Sequence, residues 1–430
     1  MLHDNLSVNE RGELTFAGVS VVELAKKYGT PLYLLDEDRI RSRCRLYRTA
    51  MARYFGTDSY PLMASKALCF KGIYKLAEEE KIGIDLVSPG ELFTAVQAGF
   101  SLEKAYFHGN NKTDEDITFA MRGGVGHFVA DSREELSAID RIAAETGLIQ
   151  PVLLRITPGI DPHTHKAIST GQVDSKFGTP IETGQADEIV EFALSLSHVR
   201  VDGFHCHVGS QIFDDRPFCD AADIMIGFIA HVKERFGYVC EILNLGGGFG
   251  VRYTEQDPVI DYETNIRLVA EHIDRRCAEY YVKKPTILLE PGRSLFADAG
   301  LTVYRVGSVK EIHGFKNYVS VDGGMTDNPR YALYQSRYTV LHGSRGGETE
   351  PFDITGRCCE SGDIIQPAVP LPKDTCRGDV IAVCTTGAYN YSMASNYNRL
   401  PRPPIVMLTA EGSYEAVRRE TFEDLMALDL

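Results

Sequence analysis

Between about residue 60 and residue 293, short apolar runs alternate with longer amphipathic stretches. The runs cover 60–66, 83–88, 105–109, 127–131, 152–156, 201–207, 241–246 and 286–290. Segments between them, such as 89–98 and 132–146, carry apolar residues at helical spacing. Ser132 suits an N-cap, with Glu135 placed to complete a capping box. Eight strand–helix units in this span predict an α/β fold, a (β/α)8 barrel of the TIM type; a doubly wound open sheet is the alternative. In such a barrel the site lies at the C-terminal ends of the strands, and the loops after the seventh and eighth often hold phosphate.

After Ser294 the texture changes. Runs at 303–306, 318–321, 379–383 and 404–408 are β-rich and separated by Gly, Asp and Asn turns. They predict a second, C-terminal β-domain, sandwich- or barrel-like. Leu6-Ser7-Val8 and Glu13-Leu14-Thr15-Phe16, joined through 9–12, read as a hairpin that could join it. The expected division is 1–35 for the N-terminal strands, 36–293 for the barrel and 294–430 for the β-domain.

Composition narrows the classes. The chain has 430 residues, 43% hydrophobic and 24% charged, as in a soluble globular protein. A net charge of -15 argues against nucleic acid as a partner, because that needs a concentrated positive face. No apolar stretch is long enough to cross a membrane, and the start lacks the regions of a secretory signal, so a cytoplasmic location is expected. The ten cysteines show no C-x-x-C spacing and read as reduced thiols; Cys358-Cys359 is the notable pair.

The chemistry gathers at predicted strand ends. Lys66 closes the apolar run Tyr60-Pro61-Leu62-Met63-Ala64-Ser65. A lysine in such a desolvating setting is a candidate amine nucleophile able to form a Schiff base with a carbonyl cofactor, and a snorkelling lysine is the ordinary alternative. His205-Cys206-His207-Val208-Gly209-Ser210 closes the sixth strand, Gly246-Gly247-Gly248 the seventh, and Glu290-Pro291-Gly292-Arg293 the eighth. Consecutive glycines let backbone N–H groups approach a phosphate, though tight turns use them too. Arg293 can fork onto that phosphate or onto a carboxylate. His205 and His207 would share a strand face and could bind metal, but no third ligand is evident, so no metal is expected. Glu290 ends an apolar run, needs a partner, and suits a pyridinium nitrogen. Lysine, flat imidazole, phosphate loop and carboxylate together specify pyridoxal phosphate. In the β-domain, 323–334, 358–363 and 386–389 mix turn formers with polar residues that a β surface does not require.

These residues, with His108-Gly109-Asn110-Asn111-Lys112 and Ser175-Lys176-Phe177-Gly178, resemble the fold type III pyridoxal-phosphate decarboxylases and, within them, the diaminopimelate decarboxylase family of lysine biosynthesis. The resemblance covers almost the whole chain. It implies that Lys66 holds the cofactor, His207 stacks on its ring, and Ser210 with Gly246, Gly247 and Gly248 cradles the phosphate beside Pro291, Gly292 and Arg293. Glu290 would face the ring nitrogen. Cys359 is implied as the acid that returns a proton to the α-carbon. Arg293, Arg330 and Tyr334 would hold the distal carboxylate, Glu360 the distal amine, and Tyr389 would close over the cofactor. A homodimer is implied, with the Cys359–Glu360 segment reaching the other subunit's barrel. The sequence departs from the family at Tyr331, where proline is usual, at Arg357, where Gly-Pro is usual, and at Leu68, which replaces a frequent asparagine. The rival substrates are ornithine, arginine and a carboxylated polyamine such as carboxynorspermidine. They lack the extra carboxylate that an arginine clamp would serve.

Overall fold

The computed structural model describes residues 1–159, 175–344 and 346–430, and they form two compact units. One comprises Ser42–Gly250 and Val259–Ser294; the other comprises Met1–Arg41, Val251–Pro258 and Leu295–Leu430. In the first unit the eight apolar runs become eight parallel strands. They are β1 (Tyr60–Ala64), β2 (Gly83–Leu86), β3 (Ala105–Phe107), β4 (His127–Ala130), β5 (Gln150–Thr157), β6 (Val199–His205), β7 (Ile242–Asn244) and β8 (Thr286–Leu289).

Each strand pairs with the next in chain order, and β8 pairs with β1, so the sheet closes. Closure gives each of the eight strands a partner on both sides, and Thr179–Pro180 adds a short ninth strand along the end of β5. Closure also explains the sequence pattern, because parallel strands covered on both faces read as continuous apolar runs rather than alternating ones. Leu62, Tyr106, Val129, Leu153 and Leu288 come from five of these strands and pack in one buried cluster. Such a meeting of distant strands is what the inside of a closed barrel provides.

The helices start where their caps dictate. Ser88 Oγ accepts the Glu91 N–H at the head of Pro89–Ala98, which places proline in the first turn, where its missing N–H costs nothing. Ser132 caps Arg133–Thr146 in the same way. The predicted reciprocal bond differs: the Glu135 carboxylate takes the Asp131 N–H and the Lys112 ammonium instead. Its two oxygens are thereby occupied, Oε1 by a buried cation and Oε2 by a backbone N–H one residue earlier than the capping box requires.

In the second unit a 13-residue strand, Gly300–Ile312, runs through the main sheet. It pairs antiparallel with Lys316–Val321, Val380–Cys384 and Leu32–Asp36. Leu32–Asp36 in turn lies parallel to Ile405–Thr409. The N-terminal hairpin forms as the sequence suggests, Leu6–Val8 against Leu14–Phe16. It builds a small three-stranded sheet with Val19–Ser20 and does not enter the large one. Its Leu6, Leu14 and Phe16 side chains are buried in one cluster with Leu301, Val303 and Ala382, so the hairpin covers a sheet face rather than extending an edge. All ten cysteines are free. Among the described residues no helix is long and apolar enough to cross a membrane.

The barrel interior predicts its own test. Leu153→Ala removes a fully buried side chain shared by several strands. It should cost about 2–5 kcal/mol, read as a lowered urea midpoint with an unchanged slope.

Candidate active site

The C-terminal ends of the strands bring together polar groups that have no business in an apolar core. Asn244 ends β7, His205 ends β6, and His108 and Glu290 follow directly on β3 and β8. All four are buried. Asn244 Nδ2 donates to Glu290 Oε1 at 2.7 Å, and His108 Nε2 lies 3.0 Å from the same oxygen. His205 Nε2 approaches Glu290 Oε2 at 3.3 Å. Asn244 Oδ1 meanwhile accepts the Gly246 N–H at 2.9 Å, which ties the carboxylate to the glycine run.

The electrostatics sort these groups into roles. Burial alone would raise the Glu290 carboxyl, but His108 and His205 hold it well below the usual range, so it is an anion. Burial pushes His205 down to about 4, so its ring is neutral. His108 goes the other way: burial lowers it, yet Asp85 and Glu290 more than reverse that. Asp85, on β2, is pushed up to about 6 by burial. His108, His205 and Glu290 also lie within 4.8 Å of one another, a spacing that a metal ion could use. Asn244 and His205 meet the two carboxylate oxygens and the His108 ring stands beside Oε1, so the trio also reads as a polar network gathered around one anion.

Two sequence expectations change here. His205 and His207 were paired as strand neighbours, but β6 ends at His205 and His207 lies beyond it. The two imidazoles therefore part company: His205 joins Glu290, while burial and then the Lys66 charge hold the half-buried His207 well below its usual value. Lys66 was read as desolvated. It sits on the turn Ser65–Ala67 just after β1, between buried neighbours, with its own side chain exposed. The strand is apolar, but the lysine projects past its end.

The glycine run follows β7. A Cβ at Gly246 would stand 2.7 Å from both the Cys206 carbonyl and His207 Nδ1, and one at Gly248 would stand 2.8 Å from the Gly209 carbonyl. Gly246 also has φ +72, which favours glycine. Close approach of neighbouring loops thus demands these glycines, whatever else they bind. Arg293, buried, donates from Nη2 to Ser210 Oγ at 3.0 Å, which links the loops after β6 and β8.

In the second unit Arg330 is only 7% exposed, yet among the described residues it makes no ion pair. Its guanidinium lies 5.0 Å from the Tyr334 ring centre and 4.7 Å from that of Tyr389. Tyr389 holds φ +70, a strained conformation for a non-glycine residue. Arg330 is thus a buried guanidinium boxed by two rings with no carboxylate beside it among the described residues, an arrangement that leaves its charge uncompensated. Of the twin cysteines, Cys358 is buried and pushed up to about 11, by burial first and Asp363 second, whereas Cys359 is exposed. Glu360 is exposed, and its Oε1 lies 3.3 Å from both the Ser361 hydroxyl and the Gly362 N–H.

Sequence reasoning missed Asp85, Asn244 and the partnership of His108. Each reads locally as an unremarkable polar residue near a strand end.

The network predicts a pH signature. Glu290, with its carboxyl lowered, adds stability above the unfolded value of about 4.3 that is lost as pH falls through the depressed one. His108, raised, adds stability below about 6.5 that is lost as pH rises through its folded value. Glu290→Gln should therefore cost most, about 3 kcal/mol, between roughly pH 5 and 6.5, with a smaller difference at either extreme. Urea unfolding across that range measures it.

Residues 37–297 match the family model of the pyridoxal-dependent decarboxylase, pyridoxal binding domain. The chain is 44% identical to diaminopimelate decarboxylase of Bacillus subtilis (strain 168), covering 100% of this chain and 98% of that protein. It is 42% identical to the Staphylococcus aureus (strain COL) diaminopimelate decarboxylase over 98% of each. The structure of diaminopimelate decarboxylase from M. jannaschii with L-lysine matches at TM-score 0.92 and 35% identity, covering 100% of this chain and 98% of that one. A lysine/ornithine decarboxylase from Vibrio vulnificus, complexed with putrescine, matches at TM-score 0.75 and 25% identity, covering 90% of this chain and 97% of that one. Full-length identity of this order, joined to a pyridoxal-binding model over the barrel, places this chain in the diaminopimelate decarboxylase family of pyridoxal-dependent decarboxylases.

Proposed function

We propose that this protein releases CO2 from meso-diaminopimelate to give L-lysine, the last step of lysine biosynthesis, with pyridoxal phosphate as cofactor. The observation that carries the reading is the buried, ion-pair-free Arg330 between Tyr334 and Tyr389. Diaminopimelate differs from lysine by one carboxylate, and a buried arginine without an anion would be a standing cost to an enzyme for ornithine or arginine.

The residues present fit the cofactor. Lys66 offers an exposed primary amine, Glu290 a carboxylate kept ionised, and His207 a neutral, half-buried ring. Lys66 would hold the cofactor covalently, His207 would lie on its ring, and Glu290 would face the ring nitrogen. Ser210, Gly246, Gly247 and Gly248, with the backbone at Pro291, Gly292 and Arg293, would hold the phosphate. Bound there, pyridoxal phosphate supplies a sink for the electron pair left when CO2 departs.

The chain's own groups do the rest. Arg330 and Tyr334, with Arg293, take the distal carboxylate; Glu360 takes the distal amine. Tyr389 screens the reacting end from water. Cys359, the exposed thiol of the pair, gives a proton to the α-carbon; its buried neighbour Cys358 is too weak an acid and is tied to Asp363. The protein acts as a homodimer in the cytoplasm, the Cys359–Glu360 turn serving the partner's barrel.

Purified protein should release CO2 from meso-diaminopimelate and not from lysine, ornithine or arginine; activity confined to those three would sink the assignment. Arg330→Ala should raise KM for diaminopimelate by about tenfold or more while cofactor uptake stays intact. Borohydride should fix the cofactor at Lys66, and Lys66→Ala should lose both label and turnover. Mixing inactive Lys66→Ala and Cys359→Ala proteins should restore part of the activity if sites are shared; an inert mixture would mean each chain works alone.

A further inference from the structure

The Asp363 carboxylate grips two segments of the second unit at once. Its Oδ1 accepts the Met325 N–H at 2.6 Å, and its Oδ2 accepts the Cys358 N–H at 2.8 Å. Met325 belongs to the glycine-led loop that runs into Arg330, and Cys358 directly precedes Cys359. The Asp363 backbone closes the same turn: its carbonyl accepts the Gly356 N–H at 3.0 Å, and its N–H donates to the Glu360 carbonyl at 3.1 Å. Two glycines make the approach possible. A Cβ at Gly324 would stand 2.6 Å from Asp363 Oδ2, and one at Gly356 would strike both that carboxylate and the Gly324 Cα. Asp363 is 3% exposed. A buried carboxylate bonded to two backbone donors from separate segments fixes their spacing, because both N–H groups lose their acceptor together if it moves.

We propose that Asp363 is a positioning residue for the decarboxylation, holding the Arg330 loop and the Cys359–Glu360 turn in register. The inference rests on the roles given above to Arg330 and Cys359. Those residues act on opposite ends of a substrate, Arg330 on the distal carboxylate in its own chain's site and Cys359 at the α-carbon in the partner's site. Asp363 therefore governs binding and proton delivery together without touching either.

The test uses the holoenzyme and Asp363→Asn, which keeps the side chain's size but turns an amide donor toward one of the two N–H groups. Melting temperature and cofactor absorbance should stay near the parent's, while KM for meso-diaminopimelate rises and kcat falls, each by about tenfold. Adding Arg330→Lys should then cost far less in KM than it does in the parent, because the loop is already out of register. Values within about twofold of the parent, or an undiminished Arg330→Lys penalty, would overturn the proposal. Should Asp363→Asn fail to fold, Gly324→Ala, which wedges the loop off the carboxylate, is held to the same two criteria. Failure of both variants to fold would make Asp363 a purely structural residue. A parent that releases no CO2 from meso-diaminopimelate would instead refute the functional reading itself.

Discussion

A carboxylate kept ionised inside a protein is the constraint from which the barrel site follows. Left alone, Glu290 would take up a proton, because burial penalises the anion. Two imidazoles and a carboxamide prevent that, and each comes from the end of a different strand. Their convergence fixes the register of β3, β6, β7 and β8 at the C-terminal rim. It also divides labour between the histidines: His205 stays neutral, while the combined pull of Asp85 and Glu290 favours charge on His108. The glycine run joins the same network, since Asn244 holds Glu290 with one atom and Gly246 with the other.

The second unit solves the opposite problem. There the buried group is a cation, Arg330, and the fold surrounds it with aromatic faces instead of a counter-charge. Ring quadrupoles soften the penalty of burying a guanidinium without neutralising its charge. On the proposed reading, selectivity for a substrate with a second carboxylate would lie in the counter-charge that the fold withholds from Arg330.

How far the chain could be read depended on how local each signal was. The barrel strands were legible because burial on both faces wrote them as apolar runs with amphipathic helices between. Strands of the β-unit were harder. Ile364–Pro372 carries Pro367, Pro370 and Pro372, and Thr349–Thr355 carries Pro351, residues that argue against a strand until the pairing is seen. The hairpin at the N-terminus was legible from its turn, but not the face it would cover. Lys66 drew attention through its apolar neighbours, yet its exposure contradicts the desolvation that they suggest.

The sequence by itself determined the two-part architecture, the strand ends where chemistry would gather and, through its motifs, the kind of cofactor and substrate. Periodicity and spacing are local properties, and they survive without coordinates. Tertiary structure alone decided which polar residues meet. Asp85, His108, Asn244 and Glu290 lie far apart along the chain and become neighbours because the sheet closes on itself. Arg330 gained its two aromatic neighbours, and Asp363 its two backbone donors, only when folding settled what stood beside them, since the charge state and reach of a buried side chain are set by its surroundings rather than by its type.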